Sequence, residues 1–444
     1  MKVAANLRRA DTLRRRAGIP GVSLGVSLGG RASIRGFGVA RSTGREPVTS
    51  RTLFQIGSIT KTFVAALLCR LRREGRVDFD RPIARTLRGF RLADAGAARR
   101  LTLRHILTHR GGWGGDYFDD TGRGDGALGE FVQRLARLPQ LTPLGSVWAY
   151  NNAGFCIAGR VVEAVTRLPF ETAMARWVFD PLGLERAFFF ADEAIDHLFA
   201  TGHDIVRGRA VPAAPWAMTR SAHPAGGIVT DMRGLLRFAD AHLRGAFLTA
   251  GERATLFSRQ GDAGCGVDSM GLAWMRDPVG GETLLWHGGA TNGQTAHLCL
   301  IPGRGFAFAG LANASGAGSF LRGVQESLLS SLFGIVRRRT DALPPEPDGL
   351  RRYVGTYEAQ LVRLTLVRQR GFLVMHSAAK GGFPKADSPP LPSPPPARLE
   401  FIGPDRVRFV GASGPLSEGE FLRSEDGAVT WLRISGRLHQ RAKR

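Results

Sequence analysis

Lysine is nearly missing from this 444-residue chain: of its 61 lysines and arginines only five are lysine, Lys2, Lys61, Lys380, Lys385 and Lys443. Arginine is therefore the default cation, and a lysine in an apolar stretch calls for a reason. Lys61 is the one so placed. Cysteine is scarce too. Cys69, Cys156, Cys265 and Cys299 lie far apart with no C-x-x-C pair, which excludes a disulfide framework and a cysteine zinc site. No run of about 18 apolar residues occurs, which excludes a membrane-spanning helix and a membrane partner. The N-terminus carries charges throughout and lacks an apolar core before a cleavage site, so a cytoplasmic protein is expected. Acidic residues number 38, leaving a net charge of +23. Such an excess suits nucleic acid. Here the arginines are spread along the chain and no recognition motif accompanies them, so nucleic acid is not the expected partner.

Two proline-rich stretches divide the chain. Thr340 to Gly349, "TDALPPEPDG", reads as an extended linker, because clustered prolines resist helix and sheet alike. It sets a first domain over 1–338, a linker over 339–349 and a small β-domain over 350–444. In that tail "LVRLTLVRQRGFLVMH", "RVRFV" and "VTWLRI" repeat a period-2 apolar pattern. The second stretch, Phe383 to Ala397, reads as a long loop within it.

Before the linker, helices and strands mix, as in an α/β (α+β) fold. "GVSLGVSLGG", Gly21 to Gly30, alternates Val22, Leu24, Val26 and Leu28 with Ser and Gly: a strand whose small-residue face suits close packing on a helix. It holds two G-x-S-x-G matches, but a nucleophile elbow needs a sharp strand-to-helix turn and this alternation runs straight through. From Ser58 to about Glu74 the apolar rhythm is that of an amphipathic helix, stopped by Gly75. "LTLRHILTHRGG" reads as a short helix ending at Gly111. "GALGEFVQRLARL" and "AGFCIAGRVVEAV" read as two more, so 82–184 is expected to be mainly α and 225–333 mixed.

Three short motifs carry chemistry. Ser58 and Lys61 in "GSITKT" are i and i+3 on one helical face. A serine hydroxyl needs a neighbouring base to take its proton; lysine can serve when burial favours its neutral form, whereas arginine does not deprotonate. Backbone N–H groups at the helix start face developing negative charge near Ser58. "WAYNNAG" then places Tyr150 two residues before Asn152: a phenol can relay a proton, and an amide can hold both the lysine and a substrate carbonyl. Last, "LLWHGGATNG" sets His287, Gly288 and Gly289 after an apolar run. Paired glycines on an edge strand let a substrate backbone approach, and the N–H of Ala290 is a candidate second oxyanion donor.

Together, with "LFQIGSITKTF", "LTLRHILTHRGG", "PAGGIVTDMRGLLRFA" and "GLAWM", these motifs resemble the serine β-lactamase and penicillin-binding-protein superfamily, closest to its class C β-lactamase, D-alanyl-D-alanine carboxypeptidase and esterase branch, over about residues 15 to 335. "YVGTYE", Tyr353 to Glu358, resembles the start of the lipocalin-like barrel appended to many of its members. The resemblance implies a sheet lobe joined to an all-α lobe, with Ser58 at their junction, then a small β-barrel. It makes Ser58 the acylated nucleophile, Lys61 its base, Tyr150 the proton shuttle and Asn152 the substrate-amide ligand. Ser58 and Ala290 N–H groups form the oxyanion hole, and His287 stands where the family's K-T-G lysine does. Lysine or tyrosine can be the acylation base. A mostly neutral histidine attracts a substrate carboxylate less than lysine would, which favours esters, D-amino-acid peptides or amides over β-lactams. No metal or organic cofactor is implied.

His105 and His109 are spaced i and i+4, but no third ligand stands near, so a structural helix is expected. "GGWGGDYFDDTGRGDG" reads as a mobile lip of the site, in which Trp113, Tyr117 and Phe118 line the acyl pocket or anchor the loop. The main expectation is a serine hydrolase acting on a small-molecule or peptide substrate. One rival is a penicillin-binding-protein-type thioesterase that cyclises peptides on an acidic carrier protein, which a basic surface would dock. Another is a non-catalytic sensor that stays acylated.

Overall fold

The computed structural model describes residues 2–245, 247–337, 340–344, 349–390, 393–411 and 414–442. Eight strands form the main sheet: β1 (Gly21–Leu28), β2 (Arg31–Gly38), β3 (Gly261–Gly264), β4 (Val267–Met270), β5 (Met275–Val279), β6 (Glu282–Thr291), β7 (Gln294–Ile301) and β8 (Phe306–Ala312). They are antiparallel throughout, in the order β2-β1-β8-β7-β6-β5-β4-β3.

β1 has the two-faced character its sequence implies. Val22, Leu24 and Val26 enter an apolar layer with Leu7 and Ala10 of helix α1 (Lys2–Arg16) and Leu321, Val324 and Leu328 of the helix Gly318–Phe333. Its Gly/Ser face meets the helix Met232–Leu243: a Cβ on Gly25 would lie 2.6 Å from Met232 Sδ, and Ser27 Oγ donates to Asp240 at 2.7 Å. Both serines lie inside the straight strand, which is not an elbow.

The second lobe is helical. It holds α2 (Thr60–Arg73), α3 (Leu103–Leu107), α4 (Ala127–Arg134) and α5 (Asn152–Thr166). α2 is buried almost all round, with Phe63, Leu67 and Leu71 in the same apolar cluster as Phe131, Phe155 and Val162. At about 1.5–3 kcal/mol per fully buried large apolar side chain, this packing outweighs any propensity term in holding α2 in place. Gly75, at φ +71°, ends it as expected. α6 (Met232–Leu243) and α7 (Gly318–Phe333) cover the two faces of the sheet.

One helix is shorter than its pattern suggests. α3 stops at Leu107, not at Gly111, because His109 takes φ +56° and the Ala273 N–H bonds the Leu107 carbonyl at 2.8 Å. His105 and His109 therefore do not share a helical face. His105 closes a capping box with Thr102, and no group of three or more metal-ligating side chains occurs among the described residues.

The tail closes on itself as a barrel of eight antiparallel strands, β9 (Gly355–Glu358), β10 (Val362–Gln369), β11 (Phe372–Ala379), β12 (Ala397–Gly403), β13 (Arg406–Gly411), β14 (Gly414–Arg423), β15 (Val429–Ile434) and β16 (Arg437–Arg441), with β9 pairing β16. Tyr357, Leu364, Leu366, Val407, Phe409 and Leu432 fill it, the alternate positions that the period-2 pattern turns inward. Of the 339–349 linker, residues 339 and 345–348 lie outside the described residues; Leu343 N bonds Phe401 O of β12 at 2.7 Å. Between β11 and β12, Phe383 packs edge-on to Phe118 of the lip loop, ring centroids 4.9 Å apart. No helix among the described residues is long and apolar enough to cross a membrane. The four cysteines are free thiols.

Candidate active site

Ser58 stands where the two lobes meet. The chain leaves the short strand Phe54–Gln55, turns at Gly57 (φ +51°), and makes a 3-10 turn over Gly57–Ile59 that runs directly into α2. Ser58 thus precedes the α-helix proper, yet keeps its one-turn relation to Lys61. Gly57 is required by space as well as by φ: a Cβ there would lie 2.7 Å from Ala290 N.

Lys61 is completely buried, and Nζ lies 2.9 Å from Ser58 Oγ, 2.8 Å from Asn152 Oδ1 and in a short hydrogen bond with the Ala225 carbonyl. Its pKa is lowered to about 7, chiefly by burial and then by Arg437, against the pull of Cys156 and Asp116. The hydrogen bonds suit the neutral amine. Two N–H groups serve the two oxygens that can only accept, and the lone pair is left for the Ser58 hydroxyl proton.

Tyr150 sits over Lys61, with Nζ 5.1 Å from its ring centroid. Burial raises its pKa to about 12, though Arg437 and the Ser58 hydroxyl hold it down in part, so the phenol keeps its proton near pH 7. His109 stacks on the Tyr150 ring with centroids 4.3 Å apart, and His287 is 6.2 Å from it. Both histidines are held neutral, His287 with a pKa brought down to about 3, first by burial and then by Lys61. Asn151 N donates to His109 Nδ1 at 3.0 Å, so that ring carries its proton on Nε2; His287 Nδ1 donates to Gly288 O at 2.6 Å, so its Nε2 is bare. Neither Nε2 has a hydrogen-bond partner, which leaves one donor and one acceptor unspent beside Tyr150.

The glycine pair lies on an inner strand that becomes an edge. β5 pairs with β6 only as far as Met275 opposite Trp286, because the chain turns away at Gly271–Trp274, tied by Gly271 N to Trp274 O at 2.7 Å. From His287 onward β6 is flanked on that side by the Ser58 turn. A Cβ on Gly289 would lie 1.9 Å from Ile56 O and 3.3 Å from Ser58 N, whereas one on Gly288 would meet nothing nearer than Ala296 O at 3.9 Å. The Ser58 and Ala290 N–H groups therefore belong to two segments in direct backbone contact.

Trp113 and Tyr117 are not gathered into this cluster. Trp113 is 2% exposed in the apolar core, and its carbonyl accepts from Asn151 Nδ2 at 3.2 Å. Tyr117 packs on Phe131 and donates to Asp119 at 2.9 Å. Both anchor the lip loop.

Three further residues join the site: His109, which the sequence suggested only as part of a structural helix, and Asp116 and Arg437, which it did not single out. Asp116 accepts from Asn152 Nδ2 at 2.7 Å and from Arg437 Nε at 3.0 Å. Arg437 comes from the barrel and lies 4.5 Å over the Tyr150 ring. The barrel is docked here by the main chain as well, through Tyr150 N to Gly436 O at 2.7 Å and Arg433 Nη1 to Trp148 O at 2.6 Å. A buried-looking lysine flags Lys61, but nothing in the local sequence marks one arginine among so many.

Comparison with known proteins gives the family. The β-lactamase family model matches residues 7–327, and the chain belongs to that family. Its fold is that of the serine β-lactamase and penicillin-binding-protein hydrolases. Penicillin-binding protein 4 of Amycolatopsis lactamdurans is 33% identical over 368 residues, covering 79% of this chain and 96% of that one. The crystal structure of SurE superposes with a TM-score of 0.77 at 26% identity, covering 99% of both chains. SurE with D-Leu gives 0.76 at 25% identity with the same coverage.

Proposed function

We propose that the chain is a serine hydrolase that forms an acyl-enzyme on Ser58 from an ester, a D-amino-acid peptide or an amide, with weak β-lactam turnover at most. The supporting observation is the buried Lys61 amine, 2.9 Å from Ser58 Oγ with its two N–H groups otherwise engaged. Lys61 takes the hydroxyl proton. Tyr150 is the weaker candidate for that step, since its phenol resists ionisation. It relays a proton to the leaving group and takes one back from the Lys61 ammonium, so that the Ser58 proton ends on the leaving group and both side chains return to their neutral forms. Asn152 holds Lys61 and meets the substrate amide. The N–H groups of Ser58 and Ala290 receive the oxyanion, and neutral His287 forms a polar wall. Gly288 leaves room for the substrate backbone, while Gly289, expected to do the same, instead lets the Ser58 turn close on the strand. Trp113 and Tyr117 act on the substrate only through the loop they anchor. In this reading the chain is a class C-like member, with a hydrolase domain over 1–338, a linker over 339–349 and a lipocalin-like domain over 350–444.

Likeness along the whole chain to a protein crystallised with D-Leu favours a D-configured residue at the acyl or leaving position. The second reading is acyl transfer, in which the acyl-enzyme from a carrier-bound peptide closes on its own amine; the net charge of +23 favours docking of an acidic carrier.

The test is kcat/KM on a panel of esters, D- and L-amino-acid amides, β-lactams and a peptide thioester. Turnover of D-amides or esters above the L-amides supports the hydrolase. A cyclic product from the thioester, in place of free acid, supports transfer. Stoichiometric acylation without turnover of any member would instead make the protein an acylated sensor and overturn both.

A further inference from the structure

Lys61 is faced by titratable or charged groups from every side of its pocket: Tyr150 and Cys156 at and within α5, His109 and Asp116 on the loop after α3, His287 on β6, and Arg437 on β16. Only Asp116 and Arg437 in this set are opposite fixed charges bonded to each other. They are also linked to Lys61 through one amide. An ionised carboxylate only accepts hydrogen bonds. Asn152 must therefore turn its NH2 group to Asp116, at 2.7 Å, and its carbonyl oxygen to Lys61 Nζ, at 2.8 Å. Arg437 in turn bonds the second Asp116 oxygen at 3.0 Å and the Ser435 carbonyl at 2.9 Å. A continuous path of hydrogen bonds runs from Ser58 through Lys61, Asn152 and Asp116 to Arg437 of the barrel.

We propose that Asp116 and Arg437 are a positioning pair for the acylation step: Asp116 orients Asn152 against Lys61, and Arg437, carried in by the barrel, holds Asp116 in place. This rests on the Ser58 acyl-enzyme reading and deepens it, since it makes the C-terminal barrel a working part of the site. The two charges act on the lysine with opposite sign. The Asp116 carboxylate favours the ammonium form and the Arg437 guanidinium disfavours it.

The test is the pH dependence of Ser58 labelling by a fluorophosphonate in the full-length protein, each rate normalised to the fraction labelled at completion so that only folded protein is read. Asp116→Asn, which keeps size and an accepting oxygen, moves the midpoint of the rising limb to lower pH. Arg437→Gln moves it to higher pH, each by roughly half a unit or more. Arg437→Lys keeps the wild-type midpoint, and Asp116→Ala, which frees the Asn152 amide, lowers the plateau rate about tenfold. Shifts in the same direction, no shift, or equal behaviour of Arg437→Lys and Arg437→Gln would overturn the pair while leaving Ser58 labelled. Labelling away from Ser58 would instead strike the acyl-enzyme reading itself.

Discussion

Gly289 and Ile56 are in backbone contact so close that a Cβ on Gly289 would stand 1.9 Å from the Ile56 carbonyl oxygen. That carbonyl belongs to the turn that presents Ser58. Gly289→Ala must push the turn off the strand and pull apart the Ser58 and Ala290 N–H groups. Loss of one oxyanion donor costs about 10²–10³ in kcat, and a drop of that order is expected. Gly288→Ala has open space around the new methyl group, so its melting temperature stays at the wild-type value while that of Gly289→Ala falls.

Acylation follows the protonation of Lys61. Its depressed pKa, about 7, means the neutral base is the minor form below that pH, so the rate rises about tenfold per pH unit at the acid end and levels off above pH 7. No falling limb is expected below about pH 11, because Tyr150 holds its proton to about 12. The same shift affects stability. Between pH 7 and the ordinary lysine value of 10.5 the unfolded chain binds the proton that the folded chain has released, so this group's contribution to stability rises with pH across that window. Stopped-flow acylation and urea unfolding at a series of pH values check the two signs.

Lys61→Arg preserves a positive charge and removes the base. The guanidinium does not deprotonate, and its planar fork neither fits the two acceptors around the compact amine nor offers a lone pair to the Ser58 hydroxyl. Acylation falls by at least about 10²-fold, measured with an activated ester; a variant with wild-type rate would end the proton-acceptor role.

The barrel docks on the site through Gly436, where a Cβ would press 2.7 Å from the Trp148 ring and 3.0 Å from Tyr150 Cβ, at φ +77°. Gly436→Val lifts the β15–β16 turn, breaks its bond to Tyr150 N, and withdraws Arg437. The expected result is a slower acylation with unchanged far-UV circular dichroism, since both the barrel and the lobes keep their own cores.

What was legible in the sequence is what short spacing encodes. S-x-x-K, Y-x-N and H-G-G each fix local geometry, and the structure gathers their residues around one point. The small face of β1 was legible for the same reason, because Gly25 and Ser27 leave room that only a close helix can fill. His109 was not legible. Its i+4 spacing from His105 suggests a continuing helix, and the turn at φ +56° is imposed by tertiary contacts around Leu107 and Ala273. Nor could spacing reveal Asp116 and Arg437, which are paired across 321 residues and two folding units.

The most direct measurement is intact-mass spectrometry after exposure to a fluorophosphonate, on the wild-type protein and on Ser58→Ala. One adduct per chain on the wild type, mapped to the peptide carrying Ser58, and none on Ser58→Ala, is the expected result. An adduct that persists on Ser58→Ala at the wild-type rate would contradict the assignment of the nucleophile, and with it the roles given to Lys61 and Tyr150.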